Sequence, residues 1–294
     1  MAEVAIAPAD FALVARLVHR QCGLVLEAGK EYLVYTRLSP LLKIHGFLKL
    51  TELFQTLREI PAAQTVRHPL VVAVVEALVT TETSFFRDMH PFETLRKTVL
   101  PELIQRRQSL KTLNIWCAAS SSGQEPYSVA ILLKEHFPDL VTWRVNFLAT
   151  DVSQEMLSRA QMGRYSQIEV NRGLPTSLLL KWFSQEGTAW QLQPSIRETV
   201  RFLPLNLHHS WPLMPKWDLV FMRNVMIYFD ADAKRSILSR LSRSLQPDGY
   251  LILGATETTL NLSDQFERIE TLKTGFHQLR AAKSRPLTTR GVTA

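Results

Sequence analysis

Cysteine is almost absent. The two present in 294 residues, Cys22 and Cys117, cannot build a disulfide scaffold. Neither lies in a Cys/His spacing of the zinc-binding kind, so no metal site is expected. A reduced, cytoplasmic chain is the expectation. Long apolar runs are missing as well. The longest, Leu70–Val75, has six residues, far short of the ~18–20 that span a bilayer. The first ten residues carry Glu3 and Asp10 and no basic cluster, so neither a signal peptide nor membrane insertion is expected. Apolar residues make up 46%, too many for wholesale disorder. Acids are fewer than bases, 27 against 34, which leaves a net charge of +7. That balance favours an acidic partner: nucleic acid, a membrane surface or an acidic protein. Part of the excess is terminal, because Arg280, Lys283, Arg285 and Arg290 follow the last acid, Glu270; they read as a solvated tail.

The first 79 residues read as a helical domain. Phe11, Leu13, Val14, Leu17 and Val18 recur at helical spacing, with Asp10 as a candidate N-cap. The pattern repeats over Lys30–His45, stopped by Gly46, then from Thr51, then over Pro69–Val79. After Thr80 the texture changes to apolar bursts alternating with amphipathic helices. Strands are expected over Leu113–Cys117, Trp143–Ala149, Val200–Leu205, Asp218–Met222 and Tyr250–Leu253. Helices are expected over Pro126–Phe137, Ser153–Gln161 and Ala233–Leu245, the last ended by the turn Gln246–Gly249. Such alternation implies a parallel sheet with helices on both faces. Phe266–Ile269 and Gly275–Leu279 are close enough to close the sheet as an antiparallel hairpin. A second short hairpin, about 182–201, reads as an insertion. The expected domains are therefore 1–79 and 80–294.

Four features could carry chemistry. The small-residue run Ala118–Gly123 joins a strand to a helix. It lets a ligand approach the backbone and a helix N-terminus, or it is simply a Ser-rich capping turn. Asp151 ends the next strand, placed either to bond ribose hydroxyls or to cap the following helix. Arg223 and Asn224 follow a third strand at the same edge. Tyr228, five residues further, points into the site or into the core, and residue type alone favours the core. Thr80–Asp88, with Phe85 and Phe86 between hydroxyls and Arg87, reads as a lid over a cleft or as a stapled linker. Together the turn and the strand-end acid suggest an adenosine-containing ligand at the carboxyl edge of the sheet.

These strings resemble the chemotaxis-receptor methyltransferase family, CheR. The matching segments are Thr80–Asp88, Ile115–Ala130, Thr150–Ser166, Phe202–Leu207, Asp218–Asp230 and Leu245–Glu257, in the family's order and over nearly the whole chain. The resemblance implies an α/β fold: a Rossmann-like class I S-adenosylmethionine-dependent methyltransferase domain with a small antiparallel β insertion, preceded by an all-α domain. It implies transfer of methyl from S-adenosylmethionine to glutamate side chains on the cytoplasmic helical bundle of chemoreceptors, by a monomer that binds no nucleic acid. It places the cofactor on Thr81, Thr83, Arg87, Glu125, Asp151, Asn206, Leu207, Arg223 and Asn224, and the reacting methyl beside Arg87 and Tyr228. Thr81 stands where the family often has Asn, and Gln124 where it often has Glu. The basic positions Lys30, Arg37, Lys43 and Lys49 are similar to the family's receptor-facing region.

The chemistry agrees with the inventory. A glutamate nucleophile, with an ordinary pKa of about 4.3, is ionised at neutral pH and needs no general base. No Ser/His/Asp or Cys/His arrangement suggests covalent catalysis. Two rivals stand beside this reading: a nucleic-acid methyltransferase, which would need a base-flipping pocket that the sequence does not suggest, and a non-catalytic module that signals cofactor occupancy. In some members the β insertion grips a receptor's C-terminal peptide by strand addition. Here it looks short, and Pro194 cannot donate to a ladder, so no such tether is expected.

Overall fold

The computed structural model describes residues 6–66, 68–270, 272 and 275–280. Lys283, Arg285 and Arg290 of the basic tail lie outside the described residues. The chain opens with four helices, α1 (Pro8–Cys22), α2 (Glu31–His45), α3 (Leu50–Glu59) and α4 (Pro69–Leu78). Gly23 and Gly46 end α1 and α2 in the left-handed conformation, φ 74° and 75°, and return their N–H groups to His19 and Leu42. Val14, Val18, Val34, Leu38, Leu53, Phe54, Val74 and Leu78 form their common core. Asp10 is not the N-cap. Pro8 starts the helix earlier, after Ala7, and the Asp10 carboxylate is paired instead with Arg58 of α3.

Beyond the segment 79–89 comes a helix that the sequence reading did not anticipate. It comprises α5 (His90–Thr94), a π turn over Leu95–Val99 and α6 (Leu100–Arg107). Pro101 has no N–H to donate and reads as a helix stop, yet the chain runs past it with one widened turn just ahead. Phe92, Leu95, Val99, Leu100 and Leu103 are all buried in the sheet's core.

The sheet domain then follows: β1 (Thr112–Ala118), α7 (Gln124–His136), β2 (Arg144–Asp151), α8 (Gln154–Met162), β3 (Arg164–Ser166), α9 (Gln167–Asn171), α10 (Thr176–Trp182), β4 (Phe183–Glu186), β5 (Ala189–Leu192), α11 (Pro194–Arg197), β6 (Arg201–Pro204), β7 (Trp217–Met222), α12 (Ala231–Ser244), β8 (Leu245–Leu253), β9 (Phe266–Arg268) and β10 (Phe276–Leu279). Seven strands form one sheet in the order β6-β2-β1-β7-β8-β10-β9. The first five are parallel, and β10 runs antiparallel to both its neighbours. Alternate residues serve two cores, which is why these strands read as continuous apolar runs. Leu113, Ile115 and Cys117 of β1 join the core beneath α7, while Trp116 and Ala118 join that beneath α12.

Two expectations shift in detail. Leu245 belongs to β8 rather than to α12. Trp217 pairs with Leu245 and Leu219 with Tyr250, so residues 246–249 form a bulge inside one strand. Arg107 holds that bulge, bonding Asp248 through both Nη atoms (3.0 and 2.6 Å) and the buried Asp218 through Nε at 2.7 Å. The insertion is a three-stranded antiparallel sheet, β3-β5-β4. Its hairpin turns between Glu186 and Ala189, and Pro194 opens α11 rather than lying in a strand.

Candidate functional site

A cavity open to solvent lies against the carboxyl ends of β1, β2 and β7, where ligands bind in open α/β sheets. Thr81, Thr83, Arg87, Glu125, Asp151, Asn206, Leu207, Arg223, Asn224 and Tyr228 all line it. The structure thus brings together ten positions spread over 148 residues of chain, from Thr81 to Tyr228.

The turn after β1 is strained, with Ala119 at φ 55° and Ser121 at φ 49°, conformations that L residues adopt only when their surroundings impose them. Asp151 imposes them here. Its Oδ2 accepts the Ser121 N–H at 2.8 Å and its Oδ1 the Ser153 N–H at 2.9 Å. It does not cap α8; Ser153 does that, accepting the Met156 N–H. Burial holds the Asp151 carboxyl above the usual carboxylate range, partly offset by the backbone donors at Ser153, Ser121 and Val152. The helix beyond the turn, α7, begins at Gly123 with no side-chain cap.

Arg223 is the buried cation of the site, its side chain 1% exposed. Nη1 donates to Glu125 at 2.7 Å, and Nη2 to Asp88 at 2.8 Å and to the Arg87 carbonyl at 3.0 Å. It therefore ties the end of β7 to the start of α7 and to the segment above. Burial still raises the Glu125 pKa, against the pull of Arg223 and then Arg87.

The segment 80–88 is both lid and linker. Phe85 is fully buried, edge-on to Tyr165 at 5.0 Å and to Phe183 at 5.6 Å. The Phe86 N–H donates to Ser128 Oγ at 2.8 Å, and Ser121 Oγ donates to the Thr81 carbonyl at 2.7 Å. Gly173, at φ 84°, lets the chain pass against the Phe85 carbonyl, where any Cβ would collide. The aromatics are staples, and Thr81, Thr83 and Arg87 face the cavity between them.

The opposite wall comes from the helical domain, which the sequence reading did not assign to the site. Cys22 and Leu24 line the cavity, as do Val152 and Phe229. Burial pushes the Cys22 thiol up to about 11. Tyr228 lines the cavity and also packs on the helical core; its carbonyl accepts the Val25 N–H at 2.9 Å. The Asn206 amide donates to the Gln21 carbonyl at 2.6 Å and accepts the His208 N–H at 3.0 Å. Its NH₂ thus holds the end of α1, while its oxygen shapes the loop after β6. His19 Nε2 reaches Asp230 at 2.7 Å.

The four basic positions are divided. None lines this cavity. Lys43 and Lys49 are exposed, and Lys30 is half-buried beside α2. Arg37 is half-buried on α2. Its Nη1 donates to the carbonyls of Leu78 at 2.8 Å and Val79 at 3.0 Å, satisfying the end of α4.

Sequence comparison agrees with this architecture. The profile of the CheR methyltransferase all-alpha domain matches residues 9–66, and that of the CheR methyltransferase SAM binding domain matches residues 81–274. A chemotaxis protein methyltransferase 1 of Pseudomonas aeruginosa is 42% identical over 268 residues, 90% of this chain and 95% of its own. A chemotaxis protein methyltransferase of Vibrio parahaemolyticus is 38% identical over 273 residues, 92% and 96% of the two chains. The cavity fits S-adenosylmethionine on its own chemistry. Asp151 offers a buried acceptor for hydroxyls, Glu125 a buried counter-charge for a cationic ligand, and Leu24, Val152, Leu207 and Phe229 apolar surface for a flat base. Among the described residues no group of three or more His, Cys, Asp or Glu stands together to hold a metal ion. With both of its parts matched, and relatives aligned over nine-tenths of the chain, the chain belongs to the CheR family of S-adenosylmethionine-dependent methyltransferases.

Proposed function

We propose that this protein methylates glutamate side chains of chemoreceptors, giving glutamyl methyl esters. The observation that carries the reading is that Arg87, Asn224 and Tyr228 meet Asp151 and Glu125 in one cavity, in a chain whose relatives are named chemotaxis protein methyltransferases. Bound S-adenosylmethionine supplies an electrophilic methyl group. Asp151 holds the ribose end, and Glu125 with Arg223 sets the charge at the other end. Arg87 and Tyr228 orient the incoming carboxylate. That carboxylate is ionised at neutral pH, so the protein's task is alignment and exclusion of water. Such positioning supplies roughly 7–11 kcal/mol of a barrier.

The division of labour follows the chain. Residues 1–79 form the receptor-facing helical domain, and residues 80–294 the catalytic domain with its β insertion. Lys30, Lys43 and Lys49 on the helical domain, together with the net charge of +7, favour encounter with acidic receptor helices. The substrate is the cytoplasmic part of the receptor, the protein works in the cytoplasm as a monomer, and no described helix is long and apolar enough to cross a membrane. The edge strands of the insertion, β3 with three residues and β4 with four, offer only short edges, which supports substrate capture through the helical domain without a C-terminal tether. The decisive experiment incubates the protein with methyl-labelled S-adenosylmethionine and cytoplasmic receptor fragments. Base-labile methyl ester on glutamate is expected. Label that resists base, or none at all, would refute the reading.

A further inference from the structure

The turn after β7 carries Asn224 and leads to Tyr228, yet no side chain of that turn holds its shape. Asn224 lies at φ 58°, in the left-handed region. The N–H groups of Asn224, Val225 and Met226 all converge on one carboxylate, that of Glu257. Oε2 accepts from Asn224 at 2.7 Å and from Gly254 at 2.6 Å; Oε1 accepts from Val225 at 2.9 Å and from Met226 at 2.6 Å. Glu257 follows β8, so its carboxylate bridges the ends of two neighbouring parallel strands. It is 9% exposed and lies outside the cavity lining. Gly254 makes room for it: a Cβ there would stand 2.7 Å from Glu257 Oε2 and 2.9 Å from Asn224 Nδ2.

We infer that Glu257 is a positioning residue for the methyl transfer. Its carboxylate clamps the 224–226 backbone. The clamp aims the Asn224 side chain at the cavity and fixes the base of the short 3-10 turn Met226–Tyr228. This inference rests on the reading of the cavity as a methyltransferase site. A carboxylate is the one side chain that accepts four N–H bonds and donates none. Charge assistance makes these bonds stronger than neutral ones. A glutamine of equal size keeps one oxygen and turns an NH₂ toward two other N–H donors. The resulting shift at Asn224 carries to the Tyr228 hydroxyl, where misplacement by about 1 Å costs on the order of 100-fold in rate.

The test uses the full chain and compares Glu257→Gln, Glu257→Asp, Tyr228→Phe and the Gln/Phe double variant. Methyl transfer to a receptor fragment gives rates, and hydrogen exchange reports on the 224–226 amides. Glu257→Gln is expected to lower kcat roughly 10- to 100-fold and to raise KM for the methyl donor by a smaller factor, since Asn224 also borders the cofactor site. Exchange at residues 224–226 accelerates and that of α1–α4 does not. Glu257→Asp recovers part of the rate. In the Tyr228→Phe background, the Gln substitution costs less than about 3-fold, since both act through one group. Wild-type exchange in Glu257→Gln, an unchanged kcat, or fully multiplicative losses would each overturn the inference. Should Glu257→Gln fail to fold, the same readings on Glu257→Asp decide. A wild-type protein that forms no methyl ester refutes the methyltransferase reading instead, and the exchange data then decide alone whether Glu257 clamps the turn.

Discussion

Replacing Asp151 separates its two roles, and the outcome can be worked from the geometry. The carboxylate accepts N–H groups from Ser121 and Ser153 while buried. A hydrogen bond to a charged group contributes about 1.5–3 kcal/mol, so Asp151→Ala loses about 3–6 kcal/mol by that rule. Against a typical stability of about 5–15 kcal/mol, such a loss threatens the fold itself. Asp151→Asn is the cleaner perturbation. Its amide oxygen keeps one N–H, its NH₂ opposes the other, and it offers the ribose a weaker acceptor. The expected loss of cofactor affinity is about 1.5–3 kcal/mol, roughly 10- to 150-fold in Kd. Titration calorimetry well below the melting temperature measures it. The ribose is common to S-adenosylmethionine and S-adenosylhomocysteine, so both must weaken alike. Unchanged affinity in folded Asp151→Asn, or a loss confined to one of the two ligands, would refute the assignment.

Three further outcomes are expected. Arg107→Leu leaves Asp218 buried without its cation and frees the bulge at Asp248; a loss of about 3–5 kcal/mol should appear in urea denaturation, with cofactor affinity in the surviving fold unchanged. Glu125 has its pKa raised by burial, so between its ordinary and its raised value it is protonated in the free protein, and a cationic ligand must expel that proton. Cofactor affinity should therefore fall as pH drops through this window, with more proton release on binding inside the window than at pH values above it, and Glu125→Gln should flatten the profile. Reversing the two exposed charges, Lys43→Glu with Lys49→Glu, should lower kcat/KM on receptor fragments several-fold at low salt and leave cofactor binding as it was; equal turnover at low ionic strength would dismiss these lysines as docking groups.

The parallel strands were legible because burial on both faces gives short, unbroken apolar runs, as in Trp217–Met222. The glycine stop at Gly46 and the acid ending β2 were legible because they are local. The helix over residues 90–107 went unassigned; it carries Pro101 just after a π turn. Asp10 read as a cap, since its partner Arg58 is 48 residues away. The same limit applies to the site. Ten lining positions sit in recognisable strings, whereas Cys22 and Leu24 reach the cavity only because α1 docks there. The bonds from Arg37 to the end of α4 were not legible, since their acceptors lie 41 and 42 residues along the chain. Glu257 lay inside a matching segment, but its role needs four backbone donors drawn from two strand ends.

The wall that α1 contributes has a consequence for how the protein matures. His19 meets Asp230 across 211 positions, and Gln21 meets Asn206 across 185. Contacts of such long sequence separation form late, because the loop they close must first be ordered. During synthesis the helical bundle can collapse on its own core as soon as it emerges, but the cavity stays open on one side until the residues around Tyr228 are made and packed against Val25. Cofactor affinity is thus acquired in one of the last steps of folding. Once acquired, it ties an early segment of the chain to a much later one: a ligand held between Leu24 and Phe229 draws the helical bundle and the sheet into one cooperative unit.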